Sequence, residues 1–411
     1  MAGVSTPTPN ASAPKRKAEV PRKHTVARVM VASTLVLALV TALGSVWLVR
    51  RLNGNIDSVN MEKALGEDRP ETRYRGNGDP LDILIMGDDS RAGTGNEIDQ
   101  EPGGGSDTTI LVHLSADRKR AYAISIPRDS IIDRPECENA PAATDVMWNA
   151  AFREDGMGCT ARQFEATTGI RLEHFVAIDF NGFGDMVDAV DGVPVCVPED
   201  IVDKAHGIFV PGGNPSVLSG DQALDYVRAR YVGEKIQQND ISRIRRQQAF
   251  IAALVRKVKS AGTLSRLDRV VRFLDAATKT LQTSDGLDSV GRIGKIALQL
   301  QDIGLDKIKF VTTPTEYFPI DSEFSGKLKW TEDAATMWRL IDMDKPLPPK
   351  LLSDAVTAEP PTASPTPEPS PTEPSPTEPS PTEPTPTEPT ESPTESEPPK
   401  PEAAPIPGIC A

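Results

Sequence analysis

The sequence predicts an α/β fold. A single domain, with a central mixed β-sheet sandwiched by helices, lies between an N-terminal transmembrane helix and a disordered, proline-rich C-terminal tail. Three observations predict it. Short apolar runs that end at Gly or Pro alternate with longer stretches whose apolar residues recur at the helical period. Both ends of the chain are compositionally non-globular. The roughly 300 residues between them suffice for one large domain with a well-buried core.

The first segment, residues 1–28, is basic. Residues 1–51 hold eight Lys/Arg against one acid, Glu19. From Val29 to Val49 no residue is charged, and at 1.5 Å per helical residue this run spans ~30 Å, the thickness of a bilayer core. Six of the eight basic residues precede it, which orients the N-terminus to the cytoplasm and everything after residue 52 outside. The alternative is a cleaved signal peptide with Ala42-Leu43-Gly44 at the cleavage site, but such peptides carry a shorter apolar run of about 7–15 residues. Residues 50–80 are polar with Gly and Pro and read as a stalk.

The globular domain is assigned to residues 81–345. Leu81–Met86 is a short apolar run closed by Gly87, as expected of a buried strand. Strands also follow at Thr109–Leu114 and Arg120–Ile126, joined by a turn at 115–119, and at His174–Phe180 and Lys307–Thr313. Helices are expected at Ala161–Thr168, Gly184–Val190, Gly220–Ala229, Ile241–Lys259, Ser265–Lys279, Asp288–Gln301 and Thr331–Ile341. The Ile241 helix carries an apolar stripe through Ile244, Phe250, Ile251, Leu254, Val255 and Val258. Residues 346–411 form the tail. It repeats Ser/Thr-Pro-Thr-Glu-Pro, its residues 360–407 hold half of the chain's 38 prolines, and it cannot bury enough apolar area to fold.

Net charge is −14, and the globular part is itself acidic, which excludes a nucleic-acid-binding body. Against that field one set of polar phrases stands out: Gly87-Asp88-Asp89-Ser90-Arg91, Ser106-Asp107-Thr108, Ile126-Pro127-Arg128-Asp129, Tyr226-Val227-Arg228-Ala229-Arg230 and the run from Asp240 to Gln248. Guanidinium groups grip phosphates through paired hydrogen bonds, and carboxylates hold a hard divalent cation that also touches phosphate. Each phrase lies next to a strand or helix end, as a Mg-assisted pyrophosphate site requires. Asp89 and Asp107 are the metal-ligand candidates; the alternative is a helix cap at Asp89 and a turn start at Asp107. Taken singly, each arginine is more simply a solvated surface residue.

These phrases, in this order, resemble the LytR-CpsA-Psr family of cell-envelope glycopolymer phosphotransferases, of the actinobacterial type. The resemblance runs from about Asp82 to about Val258 and thins over 268–343; it also takes in Asn149-Ala150-Ala151-Phe152, Thr167-Thr168-Gly169-Ile170, Asp179-Phe180-Asn181-Gly182-Phe183 and 187–193. It implies Asp89 and Asp107 around Mg²⁺ (or Mn²⁺). Arg91, Arg128, Arg228, Arg230 and Arg243 would surround the pyrophosphate, with Arg246 on the same helix face as Arg243 and Gln247 as a positioning group. Arg128, Asp240 and Arg243 would be catalytic, Asp240 orienting an arginine or acting as general base. The implied partners are a polyprenyl-pyrophosphate-linked glycan, peptidoglycan and the membrane, with no nucleic acid. The implied location is the cell membrane, single-pass, with the catalytic domain extracytoplasmic.

The chain departs from the family pattern. Gly105 and Met147 stand where Arg and Lys are usual, and Ser242 stands where Gly is usual. The first two remove positive charge, and they support an alternative: a non-catalytic polyprenyl-phosphate-binding envelope regulator, the family's transcriptional-attenuator label. A polyprenyl-pyrophosphate pyrophosphatase, with water as acceptor, is the third reading. Of the four cysteines, Cys137 and Cys159 bracket one segment and are the natural disulfide; Cys196 reads as a buried thiol, and Cys410 lies in the tail. His113 and His174 read as packed or hydrogen-bonded. Arg245 points off the arginine face and reads as solvated.

Overall fold

A computed structural model describes residues 23–88, 105–204, 207–229 and 240–359. It divides into two units, Met1–Arg51 and Leu52–Ala411. The first contains most of helix α1 (Lys23–Asn53). Within Thr25–Asn53 an 18-residue window reaches a mean hydropathy of 2.2, and the helix is long and apolar enough to cross a membrane. Val29, Leu35, Val40 and Leu43 are all exposed, an arrangement suited to hydrocarbon rather than water. At its C-terminal end Arg51 sits 5.6 Å over the ring of Trp47.

The second unit is built on an eight-stranded mixed sheet in the order β1-β12-β7-β2-β3-β4-β13-β16. The strands are β1 (Asp57–Val59), β2 (Leu81–Asp88), β3 (Ser106–Leu114), β4 (Ala121–Ile126), β7 (His174–Asp179), β12 (Leu281–Ser284), β13 (Ile308–Thr312) and β16 (Val356–Thr357). Four two-stranded sheets add β5 (Ile131–Arg134) with β6 (Ala143–Met147), β8 (Val193–Val197) with β11 (Gly213–Leu218), β9 (Ile201–Asp203) with β10 (Ile208–Val210), and β14 (Thr315–Tyr317) with β15 (Leu328–Trp330). The helices are α2 (Met61–Leu65), α3 (Ala150–Thr168), α4 (Phe180–Ala189), α5 (Gly220–Arg228), α6 (Asp240–Lys259), α7 (Ala261–Leu264), α8 (Leu267–Thr280), α9 (Val290–Gln301) and α10 (Glu332–Asp342).

The pleat explains the sandwich. Side chains alternate faces along a strand, so Leu84 and Met86 of β2 enter one core with Leu111, Ile124 and Phe175. Phe164 of α3 and Trp338 of α10 cover that core, their rings edge to face at 5.7 Å. Ile83 of β2 goes to the other face with Ile110, Val176 and Phe310, under Ala252 of α6 and Ile293 of α9. All six residues of β4 are buried, as a strand covered on both faces requires. A third core joins Val187 of α4, Tyr226 of α5 and Phe250 of α6 to the two small sheets between α4 and α5. The Thr168-Gly169 phrase is a helix stop: Gly169 has φ 72° and returns its N–H to Glu165. Gly182 permits the close packing of α4 on α8, since a Cβ there would lie 1.5 Å from Thr280 Cγ2.

The structure corrects several sequence expectations. The stretch read as a stalk is part of the domain. β1 pairs with β12, Leu65 is 2% exposed in the main core, and Arg69 pairs with the buried Glu165 at 2.5 Å. The domain also extends past residue 345, because β16 pairs with β13. Most of the tail lies outside the described residues. Cys137 and Cys159 form a disulfide, as expected. Cys196 is not a thiol: it too is disulfide-bonded. Cys410 lies outside the described residues. His113 is fully buried between Asp82 (2.8 Å) and Asp344 (3.3 Å). His174 approaches Ser284 Oγ at 3.4 Å. Arg245 does leave the arginine face, but it pairs with Asp354 at 2.5 Å.

Candidate active site at the carboxyl rim of the sheet

Strands β7, β2, β4 and β13 all run the same way, and β3 runs against them. Their carboxyl ends and the start of β3 therefore share one rim, the edge where open α/β sheets bind ligands. β2 ends at Asp88, whose register partners are Asp179 at the end of β7 and Ser106 at the start of β3. One residue earlier Gly87 pairs with Thr108, so Asp107 is the extra residue of a bulge. Bulges re-aim a side chain at a sheet's edge.

The arginines reach this rim from three directions. Arg128 leaves β4 just past Pro127; its Nε is 3.8 Å from Asp129 Oδ2, and its carbonyl accepts from Asn149 N–H at 3.4 Å. Arg228 closes α5 and lies 5.0 Å over the ring of Phe180. That ring packs on Gly87, where a Cβ would meet it at 3.0 Å, so Arg228 is seated beside the exit of β2. Arg243 and Arg246 occupy the first turns of α6 and are 5% and 1% exposed. Arg246 donates through Nη2 to the carbonyl of Ala229. Gln247 donates to Val227 O at 3.4 Å, so both residues clasp the end of α5. Gln248 donates to Ser125 Oγ (2.9 Å), Val311 O (3.0 Å) and Thr312 Oγ1 (3.0 Å), which pins α6 to the exits of β4 and β13.

Arg243 and Arg246 bring two like charges together on α6. Burial pushes Arg246 down to about 10; Tyr226 opposes this, and the like charge of Arg243 pushes it further. An anion between two neighbouring guanidinium groups relieves that repulsion. Positions 105 and 147, where expected cations are missing, both lie next to the Trp148-Asn149 segment, which bonds the backbone of Ser130 and Arg128. A Cβ on Gly105 would lie 3.9 Å from Asn149 Nδ2, and Met147 ends β6 next to Trp148, whose N–H donates to Ser130 O at 2.8 Å.

Of the residues chosen from sequence, Arg128, Arg228, Arg243 and Arg246 come to this one rim, and Gln247 supports it from behind. Asp107 is there by its backbone, and Asp240 opens α6. Asp89, Arg91 and Arg230 lie outside the described residues. Asp179 was missed. It ends an apolar strand as Asp88 does, and that parallel was the available signal. Among the described residues no cluster of three or more His, Cys, Asp or Glu is disposed to hold a metal. Asp88 and Asp179 end neighbouring parallel strands in register.

The LytR_cpsA_psr family model matches residues 48–341, and the chain belongs to that family. It is similar to the cell wall biosynthesis protein LcpA of Corynebacterium glutamicum, 28% identical over 264 residues, covering 57% of this chain and 49% of the relative. It is also similar to the polyisoprenyl-teichoic acid–peptidoglycan teichoic acid transferase TagT of Bacillus subtilis, 28% identical over 295 residues, covering 69% of this chain and 82% of the relative. The chain thus spans about half the length of the corynebacterial relative. In fold it matches a LytR-Csp2A-Psr enzyme from Actinomyces oris with a TM-score of 0.54 at 18% identity, over 73% of this chain and 98% of that one.

Proposed function

We propose that this protein is a membrane-anchored, extracytoplasmic phosphotransferase that moves a glycopolymer from a polyprenyl-pyrophosphate carrier to a hydroxyl of peptidoglycan. The observation that carries the reading is the arrival of Arg128, Arg228, Arg243 and Arg246 at the rim where Asp88 and Asp179 are register partners. The TagT relative, named a polyisoprenyl-teichoic acid–peptidoglycan teichoic acid transferase, supports the same substrate class.

In the reaction, the acceptor hydroxyl oxygen attacks the glycan-bearing phosphorus. A new P–O bond forms, the pyrophosphate P–O–P bond breaks, and polyprenyl phosphate leaves. Arg128 and Arg243 hold the transferred phosphoryl oxygens, while Arg228 and Arg246 hold the leaving phosphate, with Arg91 and Arg230 as further contacts. Asp240 takes the hydroxyl proton. Asp89 and Asp107, with Asp88 beside them, would hold Mg²⁺ or Mn²⁺, which supplies charge neutralisation at the phosphates when bound. α1 serves as the single-pass anchor, with the N-terminus cytoplasmic. The Cys137–Cys159 disulfide and the oxidised Cys196 agree with an oxidising compartment outside the membrane.

The test supplies a lipid-linked glycan and peptidoglycan fragments to the full chain in detergent, with and without Mg²⁺. Glycan joined to peptidoglycan supports the reading. Release of glycan phosphate to water with acceptor present assigns a pyrophosphatase, and tight lipid binding without turnover assigns a regulator.

A further inference from the structure

The β14–β15 hairpin grows directly from the rim. β13 ends at Thr312, and three residues later β14 begins. Thr315, Glu316 and Tyr317 pair with Trp330, Lys329 and Leu328. The hairpin is bolted to the Arg128 phrase: Lys327 Nζ donates to Asp129 Oδ1 at 3.0 Å, and Leu328 N–H donates to Asp129 O at 3.1 Å. Trp330 stacks on Trp148 at 5.9 Å, behind the Asn149 that bonds Arg128. The tip is ordered by its own turns, with Phe318 N–H to Lys327 O at 3.0 Å and Lys327 N–H to Phe324 O at 2.9 Å.

This tip presents apolar surface to solvent. Ile320 is 93% exposed and Tyr317 49%. Phe318 and Phe324, both half-buried, pack together at 5.2 Å, with Lys329 Nζ 6.0 Å over Phe318. Large exposed apolar residues set together next to a proposed catalytic rim mark a binding surface. Charge selects the occupant. Lys327 is spent on Asp129 and Lys329 on Glu316, while Asp321 and Glu323 flank the tip, exposed. An acidic tip repels an anionic bilayer surface and the pyrophosphate end of the lipid-linked donor alike. A neutral saccharide suits it: aromatic and aliphatic faces cover the C–H face of a pyranose, and carboxylates accept from its hydroxyls.

We propose that the β14–β15 hairpin, through Tyr317, Ile320 and the flanking Asp321 and Glu323, binds the glycan strand of the acceptor and delivers its hydroxyl to the Arg128 side of the rim. This rests on the transferase reading above. The test uses the full chain in detergent and a defined peptidoglycan-derived oligosaccharide. Tyr317→Ala with Ile320→Ser, two surface changes, should weaken oligosaccharide binding at least tenfold and raise the acceptor KM by a similar factor, with lipid-donor affinity as the internal comparison. Oligosaccharide binding equal to that of the unaltered chain overturns the proposal. So does a variant that loses co-sedimentation with anionic vesicles while keeping the oligosaccharide, since that makes the tip a membrane contact. Because binding is measured without turnover, failure of the transferase reading shows separately, as absent transfer by the unaltered chain.

Discussion

Single side chains at the rim divide into those that hold the fold and those placed to meet substrate. Arg128 is one-fifth exposed and sits past the end of β4, so Arg128→Ala should leave the melting temperature within a few degrees while lowering transfer by about 10²–10³-fold, the usual cost of removing a preorganised charge donor. A thermal melt run beside the transfer assay checks both. His113 lies at the opposite end of the sheet. Burial pushes it down, but the Asp82 charge and hydrogen bonds to Asp344 and Asp82 outweigh burial and hold it at about 9. Its folded value is above its unfolded one. The stabilisation is therefore complete below about pH 6.5 and is lost as pH rises through about 9, amounting to about 3 kcal/mol. Denaturant unfolding at pH 6 and pH 10 should show that drop, and His113→Gln should flatten it.

Among elements, α6 is the joint between the two halves of the site. Gln248 makes three hydrogen bonds to the ends of β4 and β13 from a buried position. Gln248→Ala should cost about 3 kcal/mol in unfolding free energy and lower transfer as the arginines shift against Arg128. A variant with full stability would show that α6 is held elsewhere. The Cys137–Cys159 bridge ties the middle of α3 to the loop between β5 and β6, across a sequence separation of 22. Replacing both cysteines by serine should cost about 3 kcal/mol by loop-closure entropy, read as a lower melting temperature. Long elements were legible because their apolar spacing is a local property. β2, β3, β4, β7, β13 and most of the helices carry it. β1, β12 and β16 escaped because each is an edge or near-edge strand of two to four residues, too short for a pattern and set by the neighbour it pairs with.

For the whole molecule, the sequence separates a basic, apolar N-terminal segment from an acidic body, and α1 carries that contrast into structure. Deleting residues 1–51 should move the protein from the membrane fraction to the supernatant on cell fractionation; retention in the membrane would assign the anchor elsewhere. The site was half legible at this scale. The arginine phrases announce themselves by charge in an acidic chain. Their convergence depends on strand direction and register, which no single phrase encodes; Asp179 carries only the local signal of ending an apolar strand as Asp88 does. The oxidised state of Cys196 was also illegible, since an apolar strand around a cysteine looks the same for a thiol and for a bridge.

The most direct measurement on the arginine rim is the rate of polyprenyl phosphate release from a lipid-linked glycan by the full chain, with Mg²⁺ present or chelated, against Arg243→Ala and Arg128→Ala. Release that needs Mg²⁺ and falls at least 100-fold in both folded variants is the predicted result. Equal release by folded Arg128→Ala, or release indifferent to Mg²⁺, would contradict a phosphotransfer site at this rim.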